Sequence, residues 1–133
     1  MKILGGEKGV LLESGEVYDA AAFGRDVLLN FSEFSELFDE DPELLHVHMG
    51  TLAGIVRTSV KTRELDTAAR VCEFLGAALE NPRAIAEIEN AVALSFVEPR
   101  ELRETATGRS LLESMPEPVR SVLLEQEGRG GAQ

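Results

Sequence analysis

A chain of 133 residues and 14.5 kDa fits one domain of ordinary size. Its 44% hydrophobic and 28% charged residues lie near the averages for soluble globular proteins, which excludes wholesale disorder and a membrane-embedded chain as starting expectations. Thirteen Lys and Arg against 24 Asp and Glu leave a formal charge of −11, which repels phosphate backbones and anionic lipid and argues against nucleic-acid or membrane partners.

A single cysteine, Cys72, cannot close an intramolecular disulfide or supply a thiolate zinc cluster, and so points to a reducing compartment. Met1 to Leu12 hold Lys2, Lys8, Glu7 and three glycines, with no continuous apolar core of signal-peptide length. No segment reaches the roughly 18 consecutive apolar residues of a membrane helix. The expectation is a cytoplasmic protein.

Residues 1–17 alternate short apolar pieces (Ile3-Leu4, Val10-Leu11-Leu12) with glycine, a texture that predicts an extended arm or small hairpin. Behind Asp19, a good capping residue, Phe23, Val27, Leu28 and Phe31 fall at helical spacing, with Gly24 costing that helix about 1 kcal/mol relative to Ala. Ser32 offers a second cap for a short helix reaching Phe38. Asp41-Pro42 sets a cap before a proline at the first helical position, which predicts a helix start there. Leu45, Met49, Leu52, Val56 and Val60 then form one stripe that ends near Lys61. From Glu64 a second stripe runs through Leu65, Ala68, Ala69, Cys72, Leu75, Gly76 and Leu79, widened by Val71 and Phe74.

Asn81-Pro82 repeats the cap-plus-proline signal ahead of a third stripe, Ile85, Ile88, Val92 and Phe96. The apolar arc from Ala91 to Val97, Leu94 included, is wide enough to predict a central helix. Glu98-Pro99 restarts the chain in a short charged helix around Leu102, which Gly108 is expected to break. Leu111, Leu112 and Met115 form another short piece, Val119, Val122 and Leu123 a last helix, and 128–133 read as a disordered tail. The expected fold is all-α: five to seven helices over 18–127, as an antiparallel helical bundle or a short HEAT-like α-solenoid. No repeat stands out at the roughly 33- to 47-residue periods of known helical arrays.

The stretch Leu44 to Ala53, with His46, His48 and Met49, and the stretch Glu89 to Glu98, with Asn90, Ser95 and Phe96, sit on either side of a helical pair. Together with a preface from Val10 to Phe31 they resemble a group of small acidic all-helical bacterial proteins of unknown function. Proteins of that kind look like immunity proteins of bacterial toxin systems. The resemblance implies a protein-binding role and brings no catalytic residues with it.

The densest functional signal is acidic. Glu33, Glu36, Asp39, Glu40, Asp41 and Glu43 place six carboxylates in eleven residues with no basic side chain among them. Their spacing does not match the calcium loop, which needs alternating ligands, a glycine at its sixth position and a glutamate at its twelfth. Two readings stay open: a solvated helix end and loop, or a docking surface for a basic protein partner such as a toxin domain, extended by Glu80, Glu87 and Glu89.

His46 and His48 lie two residues apart and point in different directions on a helix, whereas a helical metal pair wants four. The expectation is one buried, hydrogen-bonded ring and one on the surface. Cys72 falls on an apolar stripe, where a thiol behaves as a small hydrophobe rather than a nucleophile. Asn90 is expected to bond to a neighbouring helix's backbone and fix register. With no phosphate-binding glycine loop, nucleophile elbow or H-E-x-x-H, the sequence points to no catalytic residue, metal or cofactor. It predicts a non-catalytic protein-binding module, in its specific form an immunity protein that occludes a basic toxin. The alternative is a structural or regulatory homo-oligomer, such as a homodimer, sealed by Phe31, Phe34 and Phe38.

Overall fold

Asp19 caps the first helix: its carboxylate accepts from the Ala22 N–H at 3.0 Å, and α1 runs Ala20–Asn30. The computed structural model describes residues 17–131, with side chains described as far as Gly128. The arm or hairpin expected over 1–17 therefore lies outside the described residues except for Val17. After α1 come a 3-10 helix (Ser32–Leu37), α2 (Leu45–Lys61), α3 (Leu65–Glu80), α4 (Ala86–Ser95), α5 (Pro99–Leu102), α6 (Ala106–Ser114) and α7 (Glu117–Gly131). The described residues are all-α. Their one extended contact is an isolated bridge in which the Tyr18 N–H donates to the Arg83 carbonyl at 2.8 Å and the Ile85 N–H to the Tyr18 carbonyl at 3.1 Å.

The predicted stripes are the core. Leu45, Met49, Leu52 and Val56 of α2, Val71, Cys72 and Leu75 of α3, and Ile88 and Val92 of α4 are buried together with Val119 and Leu123 of α7. Burying a side chain such as Leu, Val or Met is worth roughly 1.5–3 kcal/mol, so these stripes hold the helices to one another. α3 is the middle element, packed against α2, α4, α6 and α7. Gly76 makes its contact with the α6–α7 link possible, since a Cβ there would come within 2.9 Å of the Pro116 side chain. The turn from α2 to α3 is a Schellman cap: the Glu64 N–H donates to the Ser59 carbonyl at 2.9 Å and the Arg63 N–H to the Val60 carbonyl at 3.1 Å. Arg63 takes the left-handed position with φ 65°, where glycine is usual.

The structure corrects several sequence expectations. Asp41-Pro42 and Asn81-Pro82 do not open helices; each closes an Asx turn first. The Asp41 carboxylate accepts from the Glu43 N–H at 2.9 Å and the Asn81 side-chain oxygen from the Arg83 N–H at 2.9 Å. α2 begins at Leu45 and α4 at Ala86, because Pro42 packs against Gly24 of α1 and Ala84 is held in the Tyr18 bridge. Only Glu98-Pro99 starts a helix directly, through a capping box with Glu101. Gly108 does not break a helix. It lies in the first turn of α6, its N–H taken by the Thr105 hydroxyl at 2.9 Å, where a Cβ would collide with the Leu102 carbonyl oxygen. Leu94 is 61% exposed, so the α4 arc is only partly interior. Asn90 is exposed and does not set register. The tail expected from 128 is helical to Gly131, its last described turns tied back by the Arg103–Glu127 ion pair.

Candidate functional site

The acidic run falls on the 3-10 helix and the loop that leads into α2. All six carboxylates are exposed, but they are not equivalent. Glu33 is engaged: Arg70 of α3 donates to it at 2.5 Å, to the Asn30 carbonyl at 2.7 Å, and lies 4.9 Å from the centre of the Phe31 ring. That guanidinium holds the Glu33 carboxyl below the usual carboxylate range. Asp39 and Asp41 each spend one oxygen on a backbone N–H, of Asp41 and Glu43 respectively, both at 2.9 Å, and leave the other to solvent. Glu36, Glu40 and Glu43 carry no ion pair among the described residues. The structure thus gathers five carboxylates into one edge and assigns the sixth to a clamp between α3 and the end of α1. Glu87 and Glu89 belong instead to a separate groove of α4 and α7, beside Val122.

The loop is anchored from below by His48. Its ring is fully buried, 5.9 Å from the Phe38 ring, and its Nε2–H donates to the Asp41 carbonyl at 2.8 Å. That bond fixes the tautomer, and Nδ1 is left without a partner. His46 is exposed, its Nδ1 2.6 Å from the Ser95 hydroxyl, so one ring is buried and bonded and the other superficial, as the spacing predicted. No group of three or more His, Cys, Asp or Glu side chains among the described residues is placed to hold a metal. Cys72 is buried, and burial pushes its thiol up to about 12, with the Glu73 carboxylate adding to the shift. Tyr18 is also raised, by burial first and then by donating to Asp26 at 2.7 Å.

Phe31 and Phe38 are buried and Phe34 is half-buried against the core, so these rings do not offer the exposed seal expected of them for a homo-oligomer. What the sequence reading missed is the feature next to them. Between the 3-10 helix and α2 runs an open groove of about 460 Å³, walled by Phe34, Leu37, Ile55 and four threonines, with Gly54 on its α2 side. The signal for it was available in the absence of any charge at Val47, Gly50, Thr51, Gly54 and Thr58, the face of α2 opposite the buried stripe. A second groove, about 410 Å³, lies between α4, α5 and α7. Its charged rim is satisfied internally, Arg100 by Glu98 and Glu127 by Arg103. No helix among the described residues is long and apolar enough to cross a membrane. Comparison with protein-family models, curated proteins and solved structures gives no match to this chain.

Proposed function

We propose that this chain is a non-catalytic protein-binding module that receives a basic protein partner on its 36–43 edge, in the manner of an immunity protein that covers a cationic toxin surface. The reading rests on one observation. Glu36, Asp39, Glu40, Asp41 and Glu43 face solvent with no cation among the described residues paired to them, while five arginines elsewhere each pair with a carboxylate. Clustered carboxylates of this kind accelerate encounter with a cationic surface and select against acidic partners.

The test is capture of binding proteins from lysate of the source cell at low salt, followed by zero-length carboxyl-to-amine crosslinking. Crosslinks from Glu36, Glu40 and Glu43 to lysines of one basic protein, lost together with capture in the Glu36→Lys, Asp39→Lys, Glu40→Lys triple variant, support the reading. Capture that survives charge reversal, or crosslinks that map to Glu87 and Glu89, overturns it. The same partner added to its toxin assay distinguishes immunity, which abolishes activity, from scaffolding, which does not.

A further inference from the structure

The helical glycines divide into two groups. Gly24, Gly76 and Gly108 are required by the fold, since a Cβ at each would meet Pro42, Pro116 or Leu102 at less than contact distance. Gly50, Gly54 and, in the last turns of α7, Gly128 are not: a Cβ at any of them meets nothing within 4 Å. Gly50 and Gly54 lie in the interior of α2, where glycine is the least favourable residue short of proline. Among the described residues nothing uses the space they leave. Gly54 lines the groove of Phe34, Leu37, Thr51, Ile55 and Thr58, whose rim residue Leu37 is 60% exposed although it is a large apolar side chain. At about 460 Å³ the groove has the capacity of a ligand cleft, roughly 300–1,000 Å³.

We infer that this groove is the apolar half of the docking surface, and that it seats an apolar side chain from a cationic amphipathic helix whose basic face lies on the 36–43 edge. The inference rests on the acidic-edge reading and deepens it. The occupant follows from charge. Glu36 and Leu37 are neighbours on the 3-10 helix, and Asp39 and Glu40 continue directly from it, so whatever covers Leu37 stands beside three carboxylates. Lys61 and Arg63 stand at the opposite end, beside Thr62 and Glu64. A second copy, at −11, would bring two acidic edges together, and each would repel the other. A helix with lysines on one face and leucine on the other matches both halves at once, and a missing Cβ at Gly54 lets its backbone come close.

The probes are two synthetic helical peptides of equal length and charge, one of leucine and lysine and one of alanine and lysine, titrated into the full ¹⁵N-labelled chain at low salt. The leucine peptide is expected to shift the amides of Leu37, Thr51, Gly54 and Thr58 as well as those of 36–43, and the alanine peptide only the latter. The variant Gly54→Leu places a side chain in the groove without touching the fold. It should weaken the leucine peptide at least tenfold, leave the alanine peptide unchanged and melt no lower than the parent. Equal binding of both peptides at the edge with the groove silent overturns the groove inference alone. Neither peptide perturbing 36–43 overturns the edge reading with it. A concentration-dependent dimer in sedimentation that Gly54→Leu abolishes reassigns the groove to a second copy and overturns the inference.

Discussion

Replacing Gly54 by alanine should stabilise this protein, and replacing Gly24 by alanine should do the reverse, although both glycines sit inside helices. At Gly54 the new methyl enters open space, so the change removes only the backbone freedom of the unfolded chain, worth about 0.5–1 kcal/mol. At Gly24 the same methyl would overlap the Pro42 carbonyl, a backbone group that cannot swing aside, and forced overpacking of this kind costs roughly 1–3 kcal/mol. The two variants should therefore differ by about 1.5–4 kcal/mol with opposite signs relative to the parent. Urea unfolding followed by circular dichroism measures this. With a slope of roughly 2 kcal/mol per molar, Gly54→Ala should raise the midpoint by about 0.3–0.5 M at unchanged slope. A lowered midpoint for Gly54→Ala would refute the argument that nothing among the described residues needs that glycine.

Three further outcomes follow from the structure. Arg63→Gly should stabilise by about 1 kcal/mol in the same assay, because Arg63 holds the left-handed position of a Schellman cap with φ 65° and has no ion pair among the described residues to retain it. Cys72 should resist a thiol reagent until the chain unfolds. Its folded pKa of about 12 exceeds the roughly 8.5 of an unfolded cysteine, so the unfolded state releases the proton first. Its contribution is therefore complete below about pH 8.5 and lost as pH rises, on the order of 2 kcal/mol by pH 10, and Cys72→Ala should flatten that alkaline limb in pH-dependent denaturation. His48→Ala should cost roughly 2–4 kcal/mol by emptying a fully buried site, and amide exchange at Asp41 and Glu43 should quicken when the bond to the Asp41 carbonyl is gone.

The stripes were legible because burial and helical period coincide: Leu45, Met49, Leu52 and Val56 are all interior. The helix starts after Asp41 and Asn81 were not. A capping side chain followed by proline suits an Asx turn as well as a helix N-terminus, and the choice was made by distant partners, Gly24 under Pro42 and Tyr18 beside Ala84. Gly108 misled for the same reason, since a glycine that admits a carbonyl and a glycine that ends a helix look alike in one dimension. Of the candidate site, the acidic edge was visible as composition. Its internal division was not, because nothing local pairs Glu33 with Arg70, 37 residues away.

The acidic edge is also more than a run of charge, and this bears on what it can do. A solvated loop would leave its carboxylates on a mobile chain, and binding would then carry the entropy of ordering them. Here Asp39 and Asp41 close successive turns on their own backbone, Phe38 is buried beneath them, and a buried histidine grips the Asp41 carbonyl from α2. At the other end, Arg70 ties Glu33 and Asn30 to α3. The segment between these anchors carries Glu36 and the exposed Leu37 side by side, over a helix face that has neither charge nor, at Gly54, a side chain. Fold stability alone would favour alanine at Gly54 and a polar residue at Leu37. The proposed docking of a cationic, partly apolar partner would account for both departures together.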